Sequence, residues 1–317
     1  MSIDRVATAA QSSYFLNQLQ SAGSALDKVQ EQIASGHNAN TYAGFGDKTQ
    51  VLTATISANA RNAAYTGATK FAVTQTDLQD TQLTSLGSLT ASLKKAVSDA
   101  VANNDATGLM TQAQSIFDQA SAILNSKDAN GDYIYSGGKT DVAPVSVGSL
   151  AALQAAPSTA AAFANGTLKK SVQVADGVSV TYGVTASDVA TGLMQALKDI
   201  AAFDAGGSGN FNAASSLSAA QNTFLTNTIG QVTTVAINQN ALTAANGYVS
   251  NRLTDAQTQQ ASLDTLYKGF ASDIQDTNMA QAATQLSLNQ TQLQAALQVT
   301  AGLHKLSLLN YLPISGQ

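Results

Sequence analysis

The last stretch of the chain, LQAALQVTAGLHKLSLLNYL (residues 293–312), constrains the fold more than any other feature. Read as a helix, it carries large apolar side chains around most of its circumference: Leu293, Leu297, Val299, Leu303, Leu306, Leu308, Leu309 and Leu312. A helix that packs on one surface needs only a single apolar stripe, about 100° wide. A helix with this pattern must therefore be surrounded by other helices, either from the same chain or from other copies of it.

The N-terminal half also has long helical patterns. A helix is predicted over residues 2–35, where Gly36 ends it, and its apolar residues alternate spacings of three and four, as in a coiled-coil seam: Leu19, Ala22, Leu26, Val29 and Ile33. Two more helices are predicted, over residues 49–102 and from residue 109 onwards. Their apolar faces consist of Leu86, Leu89, Leu93 and Val97 in the first and of Leu109, Ala113, Ile116, Ala120 and Ile123 in the second.

The middle of the chain has a different pattern. Valines alternate with polar residues on both sides of Asp176–Gly177, which is a strong signal for a β-hairpin. A short helix follows, for which Ser187 is the expected N-cap, with Val189, Leu193, Ala196, Leu197 and Ile200 facing inward. The sequence GGSGN (residues 206–210) is typical of a flexible joint.

Helical periodicity returns at Ala213 and continues to Leu312, with breaks expected at Gly230, Gly247 and Gly269. The predicted fold is therefore mainly α, a long antiparallel helical bundle or coiled-coil rod built from both termini, with a small α+β insert at its outer tip. Three domains are expected: an inner assembly domain (1–45 and 265–317), a helical rod domain (46–140 and 205–264) and a surface-exposed insert (141–204).

Composition excludes several classes of function. The net charge is −5 and the densest basic cluster is the pair Lys169–Lys170, whereas nucleic-acid binding needs a basic surface. The chain has no cysteine, which excludes disulfides and thiolate nucleophiles. Residues 1–20 lack the apolar core of a cleaved signal peptide, and the C-terminal stretch is too polar for a membrane span, so we expect no membrane insertion.

No group of residues points to catalysis. The two histidines, His37 and His304, lie in opposite terminal segments without a cluster of acidic residues beside them. The sequence DANGD (residues 128–132) resembles the start of a calcium loop, but Lys139 stands where such a loop needs its glutamate, so we interpret it as a turn. We therefore predict no enzyme activity, no catalytic or metal-binding residues and no cofactor.

Three segments carry a resemblance to a known family. LDKVQEQIASGHNANTYAGFGD (residues 26–47) and TQLSLNQTQLQAALQVTAGLHKLSLLNYL (residues 284–312) resemble the first and last helices of bacterial flagellins. YIYSGGKTDVAPV (residues 133–145) is similar to a segment of hook–filament junction proteins and some flagellins. The resemblance implies an extracellular subunit of the flagellum, exported unfolded by the flagellar type III apparatus, with a cytoplasmic chaperone on its C-terminal helix.

The resemblance also implies what the terminal helices do. We predict a structural subunit of the flagellar filament that assembles head-to-tail with copies of itself, next to hook-associated proteins and the filament cap. One alternative is hook-associated protein 3 at the hook–filament junction, and a second is a surface-displayed homologue that binds glycans or acts as an adhesin. The predicted assembly interface consists of Leu16, Leu19, Leu26, Val29, Ile33, Leu286, Leu293, Leu297, Val299, Leu303, Leu306 and Leu309.

Overall fold

The structure, a computed structural model, describes residues 3–212 and 216–309, with side chains described for residues 10, 13–212 and 216–302. Its α-helices are α1 (Ile3–Ser35), α2 (Thr49–Asn103), α3 (Leu109–Leu124), α4 (Leu150–Ala155), α5 (Ala186–Ala205), α6 (Ala219–Gln275) and α7 (Met279–Leu309). The described residues also form two 3-10 helices, Tyr42–Lys48 and Thr159–Ala162. Two antiparallel strands complete the regular elements described: β1 (Lys170–Ala175) and β2 (Val178–Tyr182). The mainly helical fold with a small β-containing insert is confirmed. The place of this insert at an outer tip stays a prediction.

The apolar periodicity of the N-terminal half corresponds to buried faces. The predicted face of α2 packs inward, with Leu86, Leu93 and Val97 fully buried. Four of the five residues predicted for α3 are buried, and Ile123 packs against the same core. Period-3.6 patterning over long segments is the most dependable local signal of a buried helix face, and both predictions are confirmed.

The predicted breaks in the C-terminal half are wrong. Helix α6 runs through Gly230, Gly247 and Gly269 as one element of 57 residues. A glycine inside a helix lowers the stability of the helix by about 1 kcal/mol relative to alanine. The packing of α6 stabilises this helix by more than that amount. The helix ends instead at Gln275, and α7 restarts after Asn278, whose side-chain Oδ1 accepts the backbone N–H of Gln281 at 3.2 Å.

The hairpin forms where it was predicted, with Gly177 at a φ of 72° in its turn. The inward face of α5 is also confirmed, but its N-cap is not Ser187. Thr185 caps this helix, because its hydroxyl accepts the N–H of Asp188 while the Asp188 carboxylate accepts the N–H of Thr185, which is a reciprocal capping box.

The sequence GGSGN forms an ordered turn rather than a flexible joint. Asn210 donates its backbone N–H to the Asp204 carbonyl at 2.8 Å, and Phe211 donates its N–H to the Asp204 carboxylate at 2.8 Å. Gln221 then donates its side-chain amide to the Gly209 carbonyl at 2.6 Å. Side chains on both flanks therefore hold a glycine-rich segment whose composition alone predicts mobility.

The chain forms two compact units. The first, which we call the terminal unit, consists of residues 1–60 and 263–317, and the second, the central unit, consists of residues 61–262. The main hydrophobic core lies in the central unit and combines side chains from α2, α3, α4, α5 and α6. Residues 141–204, predicted as a surface insert, contribute to this shared core through Leu153, Leu193 and Leu197. The boundaries of the three predicted domains stay a prediction.

Within the central unit, the hairpin packs on α2 and α6. Its inward side chains cover Ala72 and Leu253 in a second, smaller hydrophobic cluster: Val172, Val174, Val180 and Tyr182. At the turn of the hairpin, the Tyr65 hydroxyl donates to the Asp176 carboxylate at 2.6 Å. This hydrogen bond favours the neutral phenol and raises the pKa of Tyr65.

Buried amide side chains connect the elements of the central unit. Gln260 donates its Nε2 to the Val174 carbonyl at 2.8 Å, which joins α6 to β1. Asn246 donates its Nδ2 to the Thr76 carbonyl at 3.1 Å, which joins α6 to α2. Because each amide must find its partner, a shift of one helix along the other would leave a buried polar group unpaired. These contacts therefore help to fix the register of the long helices.

Candidate functional site

Helices α1 and α7 pair in an antiparallel arrangement within the terminal unit. On α1, the covered positions repeat at alternating spacings of four and three: Phe15, Leu19, Ala22, Leu26, Val29 and Ile33. On α7 the same spacing selects Ala282, Leu286, Asn289, Leu293, Ala296 and Thr300. This regular alternation on both helices is the pattern of a coiled-coil seam, and it confirms the seam predicted for α1.

Asn289 is a polar residue inside this seam. It is buried, its Nδ2 donates to the Ala25 carbonyl of α1 at 3.1 Å, and its Oδ1 accepts from Gln285 at 3.0 Å. A single asparagine at a seam position specifies register at a cost in stability. Sequence reasoning missed it, because Asn289 lies among six glutamines of α7 and nothing in the sequence shows which of these amide side chains faces inward.

A set of hydrogen bonds joins the end of α1 to the segment between α6 and α7. Gly36, at a φ of 73°, accepts the N–H of Thr277 at 2.8 Å, and Asn38 donates its own N–H to the Gln275 carbonyl at 2.8 Å. The Asn38 side chain donates to the carbonyls of Ile274 and Asp276 at 3.0 and 2.9 Å. We call these contacts the clamp, and they fix where the seam begins.

His37 lies in the clamp beside Asp276. Its Nδ1 is 3.4 Å from the Asp276 carboxylate, but the geometry is not that of a hydrogen bond, and both side chains are about half exposed. No third metal-ligating side chain joins them, since the described part of the chain holds no group of three or more His, Cys, Asp or Glu residues suited to a metal. His304, the other predicted candidate, lies outside the residues whose side chains are described.

The terminal unit buries very little apolar surface. Both hydrophobic clusters of the described residues lie in the central unit. In the terminal unit, Val29, Leu52 and Ala282 are the only described apolar side chains that are buried. By contrast, its described residues include many large apolar side chains that are exposed: Tyr14, Leu16, Tyr42, Val51, Ile56, Leu266, Phe270, Met279, Leu288, Leu297 and Val299.

The residues predicted for the assembly interface fall into three groups. Six lie in the seam between α1 and α7, where the partner helix partly or fully covers them: Leu19, Leu26, Val29, Ile33, Leu286 and Leu293. Leu16, Leu297 and Val299 are 58%, 49% and 48% exposed, outside the seam. The side chains of Leu303, Leu306 and Leu309 lie outside the described residues. A role of any of the twelve in contacts between subunits stays a prediction.

A groove of about 660 Å³ follows the pairing of α1 and α7. Its walls include the aromatic rings of Tyr14 and Phe15, which meet edge to face at a centroid distance of 5.9 Å, and the small side chains of Ala22 and Ala296. Val299 lies at its open side. Small residues beside the exposed ring of Tyr14 leave room for a further helix to pack against the pair.

Other sequence features that could carry chemistry have structural roles. The predicted turn at DANGD is confirmed, because the Asp128 carboxylate accepts the N–H groups of Asn130 and Asp132 at 2.9 and 3.2 Å. Its second oxygen accepts from Gln75 of α2 at 2.8 Å. Among the described helices, none is apolar over a long enough stretch to cross a membrane.

Residues 214–312 match the protein family described as the bacterial flagellin C-terminal helical region. The chain is also similar to flagellar hook-associated protein 3 of Escherichia coli (strain K12), with 32% identity over 93 residues. That match covers 28% of this chain and 29% of the relative, so less than a third of the curated protein is spanned.

One solved structure shows a similar fold. A protein of Vibrio parahaemolyticus described as a flagellar hook-associated protein superposes with a TM-score of 0.59 and 19% identity, over 72% of this chain and 97% of that chain. FlgL of Bacillus cereus gives a TM-score of 0.41 and 12% identity, over 63% and 98%. The C-terminal third of this chain is therefore similar to the C-terminal helical region of bacterial flagellins, and a segment of 93 residues is similar to hook-associated protein 3.

Proposed function

We propose that this chain is a structural subunit of the bacterial flagellum that is incorporated through its paired terminal helices. The observation that supports this most is the contrast between the two units. The central unit has its own core, whereas the terminal unit exposes large apolar side chains such as Leu16, Phe270 and Leu297 at 58%, 50% and 49%. Large apolar side chains left exposed in this number mark interaction surfaces, and further helices of neighbouring subunits would cover them.

Within the flagellum, we assign the chain to the hook–filament junction. The sequence alone favoured the filament, but the curated relative with 32% identity is a hook-associated protein. The match of residues 214–312 supports the filament role, because that family is described as a region of flagellin. The filament subunit is therefore the second candidate. The adhesin stays a prediction from sequence.

Three further elements of the proposal rest on the resemblance to bacterial flagellins and hook-associated proteins. The chain would be extracellular, would leave the cell through the flagellar type III export apparatus, and would be held before export by a chaperone on α7. Its neighbours would be copies of itself, other hook-associated proteins and flagellin. The exposed apolar residues of α7, Leu288, Leu297 and Val299, are the surface that such a chaperone could protect from aggregation.

The substitution Leu297→Asp tests the proposal. Leu297 is 49% exposed, so the aspartate stays hydrated in the isolated chain and the helix content should be unchanged. A charge buried between subunits without a partner costs several kcal/mol, so assembly should fail. In cells whose only copy is the variant, we expect the chain in the culture medium and none in sheared flagella.

The matched control is Gln298→Asp, which places the same charge one residue further along on an exposed polar position. We expect the control to enter flagella as the wild-type chain does. Incorporation of Leu297→Asp at wild-type levels would show that this face of α7 is not an assembly surface.

A further inference from the structure

Three Asn–Gly pairs occur in the chain, and each is a candidate for spontaneous deamidation: Asn130–Gly131, Asn165–Gly166 and Asn246–Gly247. In this reaction the backbone nitrogen of the glycine attacks the side-chain carbonyl carbon of the asparagine. The N–C bond forms, the side-chain nitrogen leaves as ammonia with the displaced proton, and a five-membered succinimide remains. Water then opens the ring to aspartate or to isoaspartate. Glycine favours the attack because it has no side chain to obstruct the ring.

We propose that Asn130 is the deamidation site of the folded chain. Asn130 and Gly131 are both exposed in the DANGD turn, where water has free access. The described hydrogen bonds of Asn130 involve its backbone N–H, which the Asp128 carboxylate accepts, and none involves its side-chain amide. Gly131 has a φ of 87° and open space where a Cβ would lie. Its N–H donates to the Asp128 carbonyl at 3.0 Å, and because the turn is exposed, water can replace this hydrogen bond when the backbone rotates into the cyclisation geometry.

Asn165 is protected by its side-chain contacts. Its Nδ2 donates to the Gly166 carbonyl at 2.9 Å and to the Ser187 hydroxyl at 3.0 Å, and its Oδ1 accepts the N–H of Ser187 at 3.3 Å. Cyclisation would require these hydrogen bonds to break before the side-chain carbon could turn towards the Gly166 nitrogen. The pair is also only partly exposed.

Asn246 is protected by burial and by the helix around it. It is 4% exposed, and its Nδ2 donates to the Thr76 carbonyl of α2 at 3.1 Å. Gly247 lies in the interior of α6, where the backbone is held in the helical conformation. Ring closure would therefore require local unwinding of α6 as well as exposure of the amide, both of which oppose the packing of the central unit.

Conversion at Asn130 changes the charge of its turn. The product adds a carboxylate between Asp128 and Asp132, and the isoaspartate form also lengthens the backbone by one carbon. The Asp128 carboxylate holds this turn through the N–H groups of Asn130 and Asp132 and links it to Gln75 of α2. Deamidation thus acts at the point where the turn is attached to the long helix.

Peptide mass spectrometry of the full chain tests the proposal. Trypsin releases residues 128–139 with Asn130 as the only asparagine and residues 140–169 with Asn165 as the only asparagine. After incubation of the folded chain at mildly alkaline pH and physiological temperature, we expect aspartate and isoaspartate at position 130, with Asn165 and Asn246 at least tenfold less converted. In denaturing urea, where the protecting contacts are absent, the three rates should become similar.

The variant Ser187→Ala provides a second readout, because it removes the hydroxyl that accepts from the Asn165 amide. Conversion at Asn165 should then rise while conversion at Asn130 stays the same. Equal conversion at all three sites in the folded chain would overturn the proposal. The proposal would also be overturned if Asn130 stayed unconverted in the folded chain over the time in which it converts in the unfolded chain.

Discussion

Tyr135 is the largest side chain that the central core buries completely. Its hydroxyl has no hydrogen-bond partner among the described atoms of the chain. A buried polar group that lacks a partner costs about 1–3 kcal/mol. The ring of Tyr135 therefore stabilises the core through apolar contact, whereas its oxygen opposes burial.

Tyr135→Phe should leave the free energy of unfolding at neutral pH unchanged or raise it by about 1 kcal/mol, because the ring is kept and the unpaired hydroxyl is lost. Burial raises the pKa of Tyr135 above its ordinary value of 10.0. The folded state thus favours the neutral phenol. The free energy of unfolding is therefore independent of this group below pH 10 and falls as the pH rises above 10.

Urea unfolding between pH 8 and pH 12 measures both effects. The wild-type chain should lose stability above about pH 10, and Tyr135→Phe should lose less over the same interval. A neutral-pH loss of several kcal/mol in the variant would instead indicate that the hydroxyl has a partner that stabilises the core.

Asn289→Leu tests the seam at the same scale. Leucine at this position replaces a buried amide with apolar surface, so the pairing of α1 and α7 should gain stability and lose its unique register. Cysteine pairs introduced on α1 and α7 would measure register by disulfide formation, because a bridge needs Cα atoms about 5.5–6 Å apart. One cross-link pattern is expected for the wild type and several for the variant. A single pattern in both chains would contradict a role of Asn289 in register.

At the scale of the elements, what the sequence predicts depends on how local the determining contacts are. The helices, the hairpin and the inward face of α5 follow from periodicity and from the Asp176–Gly177 turn, all of which are local signals. The cap of α5 does not, because Thr185 and Ser187 are both good cap residues and the end of β2 decides between them.

The continuity of α6 also could not be predicted from its own sequence. Its glycines predict breaks, and only the packing against α2 and α5 shows that the helix continues. Only part of the candidate site could be predicted from the sequence. The α1 seam followed from spacing, whereas Asn289 and the clamp depend on contacts between residues more than 200 positions apart.

Two glycine substitutions test this account of the helices. Gly230 in α6 has open space around its Cβ position, so Gly230→Ala should raise stability by about 0.4–1 kcal/mol. Gly192 in α5 lies where a Cβ would be 2.8 Å from the Val235 side chain of α6, so Gly192→Ala should lower stability. Urea unfolding midpoints of both variants check the prediction. A loss of stability in Gly230→Ala would show that α6 needs a flexible point there.

At the scale of the whole molecule, burial is distributed unequally between the two units. The central unit has the core that an independently stable domain needs, and the terminal unit has a coiled-coil seam with apolar residues left outside it. A two-helix seam with so few buried side chains gains little from the hydrophobic effect on its own. Under the proposed function, helices of neighbouring subunits would cover these exposed residues and supply the remaining stabilisation.

The most direct test is the location of the chain on intact flagella. A short epitope tag can be placed at Gly207, which is exposed and has open space around it, and loop tips of this kind tolerate insertion. Gold-labelled antibody should then mark a single band where the hook meets the filament. Label along the whole filament would contradict the junction assignment in favour of the filament subunit, and flagella without label would contradict a structural role in the flagellum altogether.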